Sequence, residues 1–146
     1  MKYIIYILFL TGNLFSQNNT ISDTLILSDS LYNANSSKYS FQKDVGGFGY
    51  NVNLGEVQDI NQYLKIVNNQ LRFRIKHGGG CGTVSARLVY NGVVHSDNLG
   101  NQYYILKLLF IDNDECAAMT HKDLVFDISS INGHKLKFYG FNQFIE

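Results

Sequence analysis

The chain has 146 residues, with twelve basic and twelve acidic side chains and a formal net charge of zero. That length suits a single domain, and the balanced charge argues against a nucleic-acid partner, which needs a basic face. Proline and tryptophan are absent, so ten tyrosines and ten phenylalanines supply the bulky side chains.

The first residues are typical of an export signal. Lys2 precedes an apolar run of eight residues, whereas a membrane-spanning helix needs about 20. We expect cleavage beside Ser16 or Gln17, so that residues 1–17 are a signal peptide and the mature chain, without a transmembrane segment, is secreted or periplasmic. No cysteine lies near the cleavage point, so we do not expect a lipoprotein. An N-terminal core strand is the alternative.

Residues 18–50 are rich in Asn, Ser and Asp and show no sustained hydrophobic period. We predict a polar leader that is partly disordered or holds one weak strand near residues 24–28. Three glycines within residues 46–50 predict a loop. The β-sandwich domain is then expected over residues 51–146.

The clearest strand pattern covers residues 71–76, where apolar and basic side chains alternate. A polar turn at residues 68–70 separates it from an apolar segment at 64–67, which predicts a hairpin over 64–77. The expected inward residues are Leu71, Phe73 and Ile75, and the expected outward ones are Arg72, Arg74 and Lys76.

Further strands are predicted over residues 84–90 and 103–111. The first ends at Asn91-Gly92, a favoured hairpin turn with Val93-Val94 beyond it. The second is apolar on both faces except at Lys107, which indicates a central strand covered on both sides.

The last apolar segments, residues 124–128 and 135–139, flank Asn132-Gly133 and predict a closing hairpin. Only residues 115–121 suggest a helical turn. With about six to eight strands, the chain is expected to be all-β, an antiparallel β-sandwich of immunoglobulin-like or similar type. The residues expected to face the core from this hairpin are Leu124, Phe126, Ile128, Leu136 and Phe138.

Cys81 and Cys116 each follow a predicted strand. In an oxidising compartment two such thiols normally pair, and the bridge would join the loops after strands 71–77 and 103–111. Glycines on both sides of Cys81 allow that loop to bend, so we expect one disulfide to staple the sandwich.

Two metal sites are alternatives in the same loops. His77 and His121 stand near the cysteines at a spacing that zinc tolerates. Asp112, Asp114 and Glu115, with Asp123 nearby, form an acidic loop of the oxygen ligands that calcium prefers, although a solvated turn explains it as well.

No catalytic constellation emerges, and no cofactor is expected. The glycines at 78–80 lack the lysine and serine or threonine of a phosphate loop, and neither cysteine has an evident activating neighbour. His95, His121 and His134 are expected at the surface. The outward basic residues of strand 71–76 are expected to hinder edge pairing.

Three short motifs resemble small exported β-sandwich domains of the NigD-like kind over residues 70–130. They are residues 79–81 (Gly-Gly-Cys), 114–117 (Asp-Glu-Cys-Ala) and 124–129 (Leu-Val-Phe-Asp-Ile-Ser). The resemblance implies the fold and export, and implies no reaction.

We therefore expect a non-catalytic exported module of the cell envelope or secreted fraction that binds a protein or glycan, or serves a structural role. A zinc- or calcium-binding envelope protein or enzyme is one alternative. A secreted inhibitor that presents a disulfide-clamped glycine loop is another.

Overall fold

The structure is a computed structural model that describes residues 22–42, 51–52, 59–79, 81–113, 116 and 118–146. The predicted signal peptide, the glycine loop at 46–50, Asp114 and Glu115 lie outside the described residues. In chain order the strands are β1 (Ser22–Thr24), β2 (Ile26–Leu27), β3 (Ser40–Gln42), β4 (Asn51–Val52), β5 (Lys65–Val67), β6 (Gln70–Gly78), β7 (Val84–Tyr90), β8 (His95–Ser96), β9 (Gln102–Asp112), β10 (Met119–Asp127) and β11 (Lys135–Phe138). An α-helix, α1, spans Asp29–Asn33, and 3-10 helices span Ile60–Gln62 and Ser129–Ile131.

The strands form two packed sheets, which confirms the predicted all-β sandwich. The β6 sheet has the order β1-β10-β6-β3-β4, with β5 also paired to β6. The β9 sheet has the order β11-β9-β7-β2, with β8 also paired to β9. Most neighbours are antiparallel, but β1 with β10, β2 with β7 and β11 with β9 are parallel pairs.

Strand β6 forms as its alternating sequence predicts. Leu71 and Ile75 are fully buried, Phe73 is nearly so, and the basic residues between them reach solvent. The predicted hairpin is also present, because β5 pairs antiparallel with β6. Asn68 and Asn69 make its turn with φ angles of 52° and 59°, a left-handed conformation that asparagine tolerates better than most residues.

Residues 22–42 correct the prediction of a partly disordered polar leader, although β2 falls within the weak strand predicted near residues 24–28. They supply β1 and β3 to the β6 sheet and β2 to the β9 sheet. Leu25 lies in the core where the chain passes from one sheet to the other, and Phe41 is fully buried. The folded domain therefore includes residues 22–42, and the boundary predicted at residue 51 is too late.

Strand β9 is central, as predicted, with β7 and β11 on its two sides. Leu106, Leu108 and Phe110 face the core between the sheets. Leu109 faces the other way and is also buried, because α1 packs over β7 and β9 on the outer face of this sheet. This helix was not predicted, since residues 29–33 carry no buried side chain that would produce a periodic apolar pattern.

Two predicted hairpins are wrong. Val93 and Val94 are exposed and outside any strand, and β8 pairs with β9 rather than with β7. Strands β10 and β11 lie in different sheets and are joined through the 3-10 helix at Ser129–Ile131. The residues predicted to face the core are nevertheless all buried, and they are Leu124, Phe126, Ile128, Leu136 and Phe138.

The predicted helical turn at residues 115–121 is wrong for its described part. Met119–His121 belong to β10 and pair with β6. Residues in this stretch alternate between the two faces of the sheet because their backbone is extended.

Candidate functional site

The disulfide joins two loops that cross between the sheets at one end of the sandwich. Cys81 lies between β6 and β7, and Cys116 lies between β9 and β10. Their Cα atoms are 6.1 Å apart, within the range that a disulfide spans. We call the disulfide and these two loops the clasp.

Backbone hydrogen bonds flank the disulfide on both sides. The amide of Gly79 donates to the carbonyl of Ala118 at 2.8 Å, next to the β6 sheet. The amide of Asn113 donates to the carbonyl of Thr83 at 3.4 Å, next to the β9 sheet. The two crossing loops therefore run side by side, which the positions of the cysteines in the sequence do not reveal.

Beneath the clasp, His77 and Asp112 meet across the gap between the sheets. The His77 side chain is 3% exposed, and its Nδ1 lies 3.5 Å from Oδ2 of Asp112. The same nitrogen contacts the carbonyl oxygen of Gly78. Since both neighbours are hydrogen-bond acceptors, Nδ1 must carry the proton and donate it.

This geometry does not support the zinc alternative. His77 points into the core, whereas His121 is exposed on the outer face of the same sheet, where Lys76 is its cross-strand partner. Cys81 and Cys116 are joined to each other, so neither presents a free thiolate. The four residues therefore do not converge on one point.

The predicted acidic loop is also divided. Asp112 faces inward from the β9 sheet, while Asp123 lies on the outer face of the β6 sheet and receives a bidentate hydrogen bond from Arg74. That hydrogen bond holds the pKa of Asp123 below its ordinary value of 3.8. The calcium hypothesis thus loses Asp123, and Asp114 and Glu115 lie outside the described residues.

The basic residues of β6 lie outward, as predicted. Arg72 donates to Gln70 at 2.6 Å, and Arg74 is engaged by Asp123. Along the described chain no three His, Cys, Asp or Glu side chains come together as a metal site would require.

Sequence reasoning missed a second cluster, on the outer face of the β9 sheet. His95 in β8, Tyr103 in β9, Lys135 and Lys137 in β11 and Phe144 near the C-terminus meet there. We call these five residues the cation–aromatic face. Alternation in residues 135–138 signals that both lysines point outward, but only the pairing of β11 beside β9 brings them to Tyr103.

The rings and ammonium groups of this face are in close contact. The His95 and Tyr103 rings stack with centroids 5.5 Å apart, and the Tyr103 and Phe144 rings meet edge to face at 5.5 Å. The Nζ of Lys137 lies 4.4 Å from the centroid of Tyr103 and 4.8 Å from that of Phe144, and Lys135 Nζ lies 4.9 Å from Phe144. These distances are typical of cation–π contacts.

A cleft of about 440 Å³ opens between the sheets near β1 and β7. Asp23, Arg87 and Lys122 bring mixed charges to its lining. Within the described ranges, the structure has no helix of the length and apolar character needed to span a bilayer.

Fold and clasp together define a disulfide-stapled all-β sandwich domain. No family model, curated protein or solved structure matches this chain.

Proposed function

We propose that this chain is an exported, non-catalytic protein that acts as a binding or structural module of the cell envelope or the secreted fraction. The observation that carries the proposal is the Cys81–Cys116 disulfide across the two crossing loops. Disulfides persist in oxidising compartments and are rare in reducing ones. The signal-like N-terminus and the resemblance to NigD-like domains support the same destination.

The placement of the histidines supports a non-catalytic role. His77 is enclosed in the core, whereas His121 lies on the outer face of the β6 sheet and His95 on the outer face of the β9 sheet. A general base and a nucleophile must lie within hydrogen-bonding reach of each other and of the substrate. The histidines and cysteines that the sequence singles out do not form such a pair at the surface.

Expression of the full chain in a bacterium with an oxidising periplasm tests the proposal. We expect the mature protein outside the cytoplasm, an N-terminus beside Ser16 or Gln17, and no thiol that reacts with an alkylating reagent before reduction. The matched control is Ile7→Asp, which interrupts the apolar run and should retain the chain in the cytoplasm. Wild-type protein found in the cytoplasm with both thiols alkylated would overturn the proposal.

Elemental analysis of the same protein, purified without chelator, tests the metal-binding alternative. The proposal expects neither zinc nor calcium in stoichiometric amount. One bound equivalent of either metal would contradict the proposal and show that the chain is a metal protein.

A further inference from the structure

We propose that the cation–aromatic face binds acidic glycans, with the two lysines pairing with uronate carboxylates and the aromatic rings packing against the sugar. The inference rests on the proposed function as an exported binding module and names its ligand class. It depends on residues His95, Tyr103, Lys135, Lys137 and Phe144, all on one exterior face of the sandwich.

The cation–aromatic face carries two unneutralised positive charges. Lys135 and Lys137 both place an ammonium within 5 Å of the Phe144 ring, at 4.9 and 4.8 Å. The ion pairs found among the described residues involve Arg74 and His77, so neither lysine has a carboxylate at ion-pairing distance there. Two like charges beside one ring leave a local positive potential that an anionic ligand would neutralise.

Asp97 interacts electrostatically with Lys135, but its carboxylate is already engaged. Its carboxylate accepts hydrogen bonds from the backbone amides of Leu99 and Asn101 and from the Asn101 side chain, at 2.8 to 2.9 Å. These bonds hold Asp97 in its own loop. The ammonium groups of Lys135 and Lys137 therefore remain available to a ligand.

Aromatic rings form the other part of the cation–aromatic face. Lys137 covers ring surface of Tyr103 and Phe144, and Tyr103 is partly exposed. Lysine side chains are long and flexible, so the ammonium can move to a ligand carboxylate and uncover that surface. The negative face of an aromatic ring attracts the weakly positive C–H groups of a sugar ring. A uronic acid offers both the carboxylate and these C–H groups in one residue.

The limited charge favours a glycan over a nucleic acid. The face holds two lysines and one histidine within a chain of zero formal net charge. Nucleic-acid binding draws its affinity from many phosphate contacts along a basic surface. A glycan with one carboxylate per sugar matches two spaced ammonium groups better.

Isothermal titration of the purified, oxidised full-length mature protein with an α-1,4-linked galacturonate tetramer tests the inference. We expect binding that weakens as sodium chloride rises. The same tetramer with its carboxylates methyl-esterified should bind about two- to thirtyfold more weakly, since two exposed charge pairs are lost.

The decisive variant is Lys135→Gln/Lys137→Gln, which should weaken binding of the tetramer about tenfold. The matched control is Lys65→Gln/Arg72→Gln, which removes two exposed cations from the β6 sheet and should leave the affinity unchanged. Thermal unfolding by circular dichroism confirms that each variant is folded. Equal affinity of the wild type and the Lys135/Lys137 variant, or equal losses in both double variants, would overturn the site.

A single-stranded oligonucleotide of matched charge is the competing probe, and tighter binding of this probe than of the tetramer would overturn the glycan assignment. Failure of export would contradict the proposed function but would leave binding by the purified protein intact. Failure of binding would contradict the glycan inference and leave export intact. The two proposals are therefore separable.

Discussion

The Nζ of Lys107 lies 2.7 Å from the carbonyl oxygen of Tyr32, so a strand residue caps a helix that lies 75 residues earlier in the chain. A second bond of 2.9 Å reaches the carbonyl of Ala34, just beyond the helix. The last carbonyls of a helix have no partner within the helix and carry partial negative charge. Lys107, the polar exception in an otherwise apolar strand, therefore fixes α1 on the β9 sheet.

Replacing Lys107 with methionine should lower the free energy of unfolding by about 1–3 kcal/mol. Methionine keeps much of the apolar stem but removes the charged donor from two carbonyls, and hydrogen bonds to charged groups contribute in this range. Urea denaturation followed by circular dichroism measures the change. Lys65→Met, at an exposed site in β5, is the control and should stay within about 0.5 kcal/mol of wild type. Equal losses in the two variants would contradict the capping role.

The sequence predicts the fold well where the signal comes from neighbouring residues. It predicts the fold poorly where the packing partners lie far along the chain. The alternation of Leu71, Phe73 and Ile75 with basic residues predicts a strand, because side chains two positions apart share one face of an extended backbone. Leu25 and Phe41 give a weaker signal. Leu25 belongs to a run of only three apolar residues and Phe41 stands between polar neighbours, while their packing partners lie far along the chain. The assignment of β10 and β11 to different sheets could not be predicted either, because a short connection fits both a hairpin within one sheet and a passage from one sheet to the other.

Phe41 tests the correction to the predicted leader. Its ring is fully buried and makes edge-to-face contacts with Phe73 and Phe138, with centroids 5.6 and 5.2 Å apart. Phe41→Ala should cost about 3–5 kcal/mol, because the cavity lies at the centre of the core. The control is Leu99→Ala, whose side chain is 88% exposed and whose loss should be nearly neutral. A neutral Phe41→Ala would mean that residues 22–42 are not part of the cooperative unit.

The candidate site was predictable to a similar degree. The cysteine count and the predicted export signal are enough to indicate the Cys81–Cys116 bridge from the sequence. The inward direction of His77 follows from the alternation in β6, but its approach to Asp112 depends on how two sheets stack. Tyr103 and Lys137 come together only through a parallel strand pair, and the order of residues along the chain contains no sign of that neighbour.

The Arg74–Asp123 pair should make a small contribution to stability that disappears in acid. Because Arg74 lowers the pKa of Asp123 below 3.8, the contribution is present above about pH 4 and is lost as the pH falls through the depressed value. Both side chains are more than a third exposed, so solvent screening limits the effect to less than about 1 kcal/mol.

Melting temperatures of wild type and Arg74→Gln, measured from pH 7 to pH 2, check this expectation. The difference between the two proteins should be largest near neutral pH and should shrink towards pH 2. Arg72→Gln removes a neighbouring cation whose hydrogen bond goes to Gln70, so its effect should depend less on pH. A difference for Arg74→Gln that stays constant over the range would argue against the ion pair.

Removing the disulfide with Cys81→Ser/Cys116→Ser should cost about 2–4 kcal/mol, because the bridge closes a loop with a sequence separation of 35 residues. Denaturant titration under oxidising conditions measures the loss. Wild type unfolded in the presence of dithiothreitol should match the variant, which makes reduction the internal control. A variant as stable as oxidised wild type would show that the clasp does not stabilise the fold.

The His77 side chain should stabilise the fold at the clasp. In His77→Leu the Nδ1 donor is lost, so the Gly78 carbonyl and the Asp112 carboxylate face an apolar side chain, which should cost about 1–3 kcal/mol. His121→Leu, on the exposed face of the same sheet, is the control and should be close to neutral. Because His77 is four residues from Cys81 and contacts the strand that leads to Cys116, His77→Leu combined with Cys81→Ser/Cys116→Ser should lose less stability than the sum of the separate losses. Strict additivity would show that the histidine and the disulfide act independently, and that the buried contact serves the core rather than the clasp.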